Sequence, residues 1–242
     1  MANWLLSPEV LENLASGKYA FIDAGCGGGH SIGHCAIRFG RTPGLGLDWG
    51  EDEVRRAIER GFDAAWCDLR YEDLPPKCVE YSAMMDFLEH LPDEEAAVHI
   101  LKNLARASRD FLFIRHPSFE DIDYLAGLGL KIGWTDWSGH PNMMKVADFE
   151  RVFASFGWED YVIVPHMLCT DSAPEAILPV TAPVDSRQHD DAKYGPKPIV
   201  RFDRPVYGKF DIFVRLNPAL SDEAWGRITD ISGWDADWDF VP

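Results

Sequence analysis

Residues 21–30 read FIDAGCGGGH: an apolar run carries Asp23 into Gly25, Gly27, Gly28 and Gly29, directly ahead of a helical pattern. Glycine at that density lets backbone turn tightly and approach a ligand with no side chain in the way. The start of the helix behind it offers free N–H groups and the positive end of a dipole, which suit a carboxylate or phosphate. Two phosphate loops are excluded by residue type. A dinucleotide GxGxxG counted from Gly25 needs glycine where His30 stands, and a P-loop needs Gly-Lys followed by Ser or Thr. A tight strand-to-helix turn that holds nothing is the plain alternative.

The elements that position this loop follow an α/β rhythm. Ser7, Pro8 and Glu9 supply a cap and a first-turn proline for an opening helix. Strands are expected at 19–23, 44–48, 64–68, 81–87, 111–115 and 161–164, with a last one at 210–216. Helices are expected at 30–39, 52–60 and 93–107, and Phe149, Val152, Phe153 and Phe156 repeat the helical spacing before Gly157. This alternation predicts a Rossmann-like, doubly wound, mostly parallel sheet with helices on both faces. Segments 118–144, rich in Trp, Gly and His, and 169–204, rich in Pro and Asp, break the rhythm and are read as lids. The expected organisation is one domain over 1–242, with a core at about 19–217 and an acidic tail, 218–242, that carries Trp225, Trp234 and Trp238. Three tryptophans are too many for a simply solvated segment, so the tail should dock or bind a partner.

Bulk properties narrow the function. With 242 residues and 46% apolar content the chain can bury one good-sized core. No apolar run approaches the roughly 18 residues of a membrane span and the start lacks a secretory pattern, so a cytoplasmic protein is expected. Five cysteines without a CxxC pair read as reduced thiols, and the absence of HisxGluxxHis spacing gives no expectation of a metal. A net charge of -17 disfavours nucleic acid as a partner and repels anionic ligands unless Arg38, Arg41, Arg70 or Arg115 reverses the field locally. Oligomeric state is open.

The run Asp23, Gly25, Gly27, Gly29 resembles motif I of the class I S-adenosylmethionine-dependent methyltransferases. Further segments support the likeness in order. Asp48 ends the second strand, Asp68 stands in CDLRYEDLP, and MMDFLEHLPD (84–93) is similar to the fourth-strand segment of the ubiquinone-biosynthesis-like, type 11-like branch. GHPNMMKVADFERVFASFGW (139–158) is similar to the segment there that carries a Gly-His pair. The resemblance implies a seven-stranded sheet with an antiparallel last strand and S-adenosylmethionine as cofactor. It also implies that Gly25, Cys26, Gly27 and Gly29 pass under the cofactor while Asp23 anchors the loop. Asp48 with Trp49 would hold the ribose, Asp68 with Leu69 the adenine edge, Met85 or Asp86 would flank the methionine end, and His90 would stand at the cofactor's edge. Each carboxylate also has a bland reading as a strand-end or cap residue.

Methyl transfer needs mainly that the acceptor be positioned and, if it is a hydroxyl, that its proton be removed. Histidine suits that step, and His140, His90 and His116 are the candidates. His140 could equally cap its own loop. The expected acceptor is a small molecule, with preference for a hydroxyl of a sugar or similar metabolite. The rival readings are a non-catalytic cofactor-binding or partner-binding domain and a nucleotide-dependent oxidoreductase, the latter disfavoured by His30.

Overall fold

The computed structural model describes residues 5–232. Helix α1 (Pro8–Ala15) begins where Ser7 accepts a hydrogen bond from the Val10 N–H and proline presets the first turn. Then β1 (Phe21–Ala24), α2 (His30–Phe39), β2 (Gly44–Asp48), α3 (Glu51–Glu59), β3 (Asp63–Trp66), β4 (Val79–Met85), α4 (Glu94–Ala107) and β5 (Ser108–Pro117) follow in alternation. After a first insertion come α6 (Val146–Phe156), β7 (Tyr161–Asp171), a second insertion, β9 (Arg201–Arg215) and α8 (Asp222–Thr229). The strands form one seven-stranded sheet in the order β3-β2-β1-β4-β5-β9-β7. The first five are parallel, and β9 runs antiparallel to both β5 and β7. This is the doubly wound, mostly parallel sheet expected from the alternation.

Period-2 alternation splits the core into two layers. Ile22, Met84, Leu112, Ile114, Ile212 and Val214 face α1, α4 and α6, whereas Phe21, Tyr81, Phe111, Phe113 and Phe213 face α2 and α8. On the second face Tyr81 stacks between Phe21 and Phe111 at 4.9 and 4.6 Å. This aromatic layer holds β1 and β4 in register, and the ends of those two strands carry the glycine loop and residues 86–90.

Three boundaries depart from the sequence expectation for identifiable reasons. The fourth strand was expected at 81–87 but ends at Met85, because Asp86 takes a left-handed φ of 50° and residues Leu88–His90 form a 3-10 turn. Strands β7 and β9 extend well beyond 161–164 and 210–216, because they pair with each other out to Asp171↔Arg201. Polar residues of that extension, such as Arg201, Asp203 and Arg204, masked the inward positions Phe202 and Val206.

The two insertions fold together. Helix α5 (Ile122–Gly127) and β6 (Leu130–Ile132) from the first meet β8 (Ile177–Pro179) from the second, with β6 and β8 antiparallel; α7 (Asp191–Tyr194) follows. Leu125, Leu130, Ile132, Ile177, Phe202 and Val206 make a separate small core beneath them. Tail residue Trp225 is buried against the second face of the sheet, while Trp234 and Trp238 lie outside the described residues.

Candidate active site

The glycine loop is shaped by three left-handed glycines for two different reasons. Gly25 and Gly29 have φ of 72° and 92°, and a Cβ at either would lie 2.3 Å from Phe87 or 2.6 Å from Phe62. They let the loop pack against the protein. Gly27, at φ 48°, is different: a Cβ there would meet nothing nearer than Glu53 Oε2 at 3.8 Å, so the loop crest faces open space. Cys26 turns its side chain inward, close enough to Gly46 that a Cβ there would come 2.6 Å from its Sγ, and burial pushes its thiol pKa up. Only the Cys26 backbone is left to face a ligand.

Carboxylates brace the loop from below. Asp48 Oδ2 accepts from the Gly27 N–H at 2.9 Å and Oδ1 from the Gly50 N–H at 2.7 Å. Burial raises its pKa despite those two bonds. Each oxygen keeps one lone pair for a further donor. Asp23 is fully buried, accepts from Ser31 Oγ at 2.5 Å, and leaves Oδ1 without a hydrogen bond among the described residues. Burial pushes its pKa up to about 7, the Ser31 bond opposing. Its tie to Ser31 joins β1 to the first turn of α2, which sets the loop between them.

Farther along the strand ends, Asp68 is held by Arg70. Arg70 Nε lies 2.9 and 3.1 Å from its two oxygens, Nη2 lies 2.5 Å from Oδ2, and the Arg70 N–H donates to Oδ1 at 3.0 Å. Burial alone would raise the Asp68 pKa; the Arg70 bonds outweigh it and lower it. The guanidinium also sits 5.5 Å from the exposed Trp49 ring. Leu69 is buried beside them. Met85, half-buried, places its sulfur 3.8 Å from Cys35 Sγ.

Beyond Met85 the polar groups converge. Asp86 accepts from Lys209 Nζ at 2.8 Å, and Arg115 pairs with Asp211 through Nε at 2.8 Å and Nη2 at 3.1 Å. Burial would raise the Asp86 pKa, but Lys209, with Arg115 and His116 behind it, holds it below the ordinary range. Glu89, 1% exposed, has Oε2 3.5 Å from His116 Nδ1 and Oε1 3.9 Å from His90 Nε2. The His90 and His140 rings lie 4.8 Å apart, with Trp137 against both. His90 Nδ1 is 2.8 Å from the Gly139 carbonyl and His140 Nδ1 is 3.0 Å from the Trp134 carbonyl. A carbonyl only accepts, so each Nδ1 carries the proton and each Nε2 is left to act as base or ligand. Burial lowers the His140 pKa, with Glu89 opposing. Through Trp137 this cluster adjoins a cleft of about 1280 Å³, which lies between the two insertions and is also lined by Trp134, Arg187 and His189.

No family model and no curated protein matches the sequence. Solved structures do match. A SAM-dependent methyltransferase from Archaeoglobus fulgidus aligns at TM-score 0.56 and 19% identity, over 86% of this chain and 93% of that one. A SAM-dependent methyltransferase from Thermotoga maritima aligns at 0.52 and 12%, over 81% and 82%. This chain has the class I SAM-dependent methyltransferase fold.

Within the methyltransferase fold, the predicted residues fall into two groups. Asp23, Gly25, Cys26, Gly27, Gly29 and Asp48 form one continuous bed, and Trp49, Asp68 and Leu69 extend it along the strand ends. Met85, Asp86, His90, His116 and His140 lie across the loop from it; Phe87, packed on Gly25, joins the groups. Sequence reasoning missed Glu89, Lys209 and Asp211. The last two carried a faint signal, since they interrupt the otherwise apolar run before Ile212, where a strand inside a sheet has no solvent to satisfy a charge.

Proposed function

We propose that the chain binds S-adenosylmethionine on the bed formed by residues 25–29 and Asp48, and transfers its methyl group to a small acceptor held beside His90, His116 and His140. The observation that carries the reading is Gly27: a left-handed residue at the loop crest whose Cβ position opens onto unfilled space, above a carboxylate that ends the neighbouring strand. The same residue types would accept the cofactor's donors. Asp48 keeps lone pairs for ribose hydroxyls, Trp49 offers an exposed ring, and Asp68 reaches an adenine amino group once one Arg70 bond is exchanged.

The cofactor supplies an electrophilic methyl on a sulfonium; the chain's own work is to orient the acceptor and, for a hydroxyl, to take its proton. His140 fits that task, with Nδ1–H fixed on a carbonyl and a lowered pKa that keeps Nε2 free to accept. His90, 39% exposed, borders the same space, whereas His116, 1% exposed, stands behind Glu89 and packs on Phe119 and Phe149. The acceptor is a small metabolite, a hydroxyl of a sugar or similar molecule being preferred for the tryptophans of the adjoining cleft. The likeness of 84–93 and 139–158 to the ubiquinone-biosynthesis-like branch fits this placement. We further read 1–242 as one domain and the protein as cytoplasmic; no helix among the described residues is long and apolar enough to cross a membrane.

Calorimetry with S-adenosylhomocysteine and NAD tests the cofactor: the first should bind and the second should not. Methyl release during turnover then separates an enzyme from a binding domain. Binding of NAD alone would overturn the reading.

A further inference from the structure

We propose that Glu89, His90 and His140 form a site for a divalent transition cation at the edge of the cleft. One ligand atom from each, a carboxylate oxygen and two imidazole nitrogens, lies within 4.8 Å of the others. Two imidazoles and one carboxylate make a donor set suited to zinc or iron rather than to magnesium or calcium, which prefer all-oxygen shells. Atoms bound to one ion at about 2.1 Å sit roughly 3 to 3.5 Å apart, so closure from a spread of up to 4.8 Å asks for a shift of at most about 1.3 to 1.8 Å. His90 is the residue able to make it, because its side chain is 39% exposed and rides on the 3-10 turn.

Hydrogen bonding prepares both histidines in the way metal ligands are prepared. The Gly139 and Trp134 carbonyls fix each Nδ1–H, which sets the tautomer and leaves each Nε2 lone pair for coordination. An independent observation comes from the layer beneath. Glu89 is a carboxylate 1% exposed to solvent, and its Oε2 has no hydrogen bond among the described residues. Facing it at 3.5 Å, His116 is also 1% exposed and neither of its ring nitrogens has one. A carboxylate buried this deeply, with Oε2 facing His116 and no hydrogen bond between them, is costly, and a cation on Oε1, the oxygen nearer His90, lowers the cost. A coordinated His140 Nε2 has no lone pair left for a proton, so His140 would serve as base only in the cation-free protein. With the cation bound, the remaining coordination positions would select acceptors with oxygen or nitrogen donors and lower the pKa of a bound hydroxyl. That consequence rests on the methyl-transfer reading; cation binding does not.

The test uses the whole chain, stripped with a chelator and dialysed against Zn²⁺ alone, with bound zinc counted and Co²⁺ absorption reporting the ligand set. Wild type should bind one equivalent, with Co²⁺ bands of mixed nitrogen and oxygen ligation. His90→Ala and Glu89→Gln should each weaken binding by at least about tenfold, since even outer-shell losses reach that size. His140→Ala should do the same, with its melting curve showing that it folds. His99→Ala, on the exposed side of α4, should bind as wild type does. Absence of stoichiometric zinc in wild type would overturn the site, as would wild-type affinity in both His90→Ala and Glu89→Gln. S-adenosylhomocysteine binding to the same stripped protein separates failure of the cation site from failure of the cofactor reading.

Discussion

The half of the molecule around the glycine loop and the cap built from the two insertions are stabilised by different physics. In the first half, strands β1, β2 and β4 are buried almost throughout, and apolar layers on both faces fix their register. Apolar burial at roughly 25 cal/mol per Å² dominates there. The cap has one small apolar cluster and a three-residue strand pair, and its backbone is satisfied by side chains. Lys197 Nζ donates to the Pro174 and Ile177 carbonyls at 2.5 Å, and Lys131 donates to the Ala182 carbonyl at 2.7 Å. Arg204 and Tyr124 tie the cap to β9 through Asp121 and Asp203. The difference teaches a division of labour: a bed held rigid by apolar packing on both faces, and a cover pinned by polar contacts.

Gly27→Arg attacks the bed and should have the largest effect. The melting-temperature rise given by S-adenosylhomocysteine should vanish, because the side chain fills the space above the loop, while the left-handed backbone costs the fold about 1 to 2 kcal/mol. A retained rise would move the cofactor off this loop.

Next comes the pH dependence carried by Asp23. Its folded pKa of about 7 lies above its ordinary value, so the folded state binds the extra proton between about pH 4 and 7. The stability it contributes is complete below that window and is lost as pH rises through it, by roughly 4 kcal/mol at about 1.4 kcal/mol per pKa unit. Asp23→Asn should abolish that slope in urea midpoints measured from pH 4 to 8. Equal slopes in wild type and variant would show that Asp23 is not the titrating group.

For Asp48→Ala the expected change is selective: loss of charge-assisted bonds worth about 1.5 to 3 kcal/mol, or roughly tenfold to a hundredfold in cofactor dissociation constant. Asp48→Asn, which keeps an acceptor for the loop amides, should lose less. Wild-type affinity in the alanine variant would remove the ribose role.

Lys197→Met sharpens the comparison from the other side. Two cap carbonyls lose their side-chain donor, which should loosen the cap by about 1 to 3 kcal/mol. Amide exchange should quicken in residues 172–199 and stay unchanged around β1 and β4, with cofactor affinity unaltered. A fall in that affinity would show that bed and cover are coupled after all.

Local sequence was enough wherever local physics decides. Ser7 with Pro8 set the start of α1, the glycines and Asp23 marked the loop, and Asp48 was legible because it ends a short apolar run before a helix. Apolar alternation likewise dictated the parallel sheet, since a strand buried on both faces must be apolar whatever packs on it. Tertiary structure decided what depends on distant partners. It took Arg70 to occupy Asp68, and the pairing of β7 with β9 to turn part of an apparent lid into strand. It also joined two lids, 118–144 and 169–204, through β6 and β8. The cluster of Glu89, His90, His116 and His140 is the clearest case. No spacing between residues 89 and 140 encodes it; the ends of β4 and β5 and the turn before α6 bring those side chains together because the buried sheet leaves each strand end one direction to go.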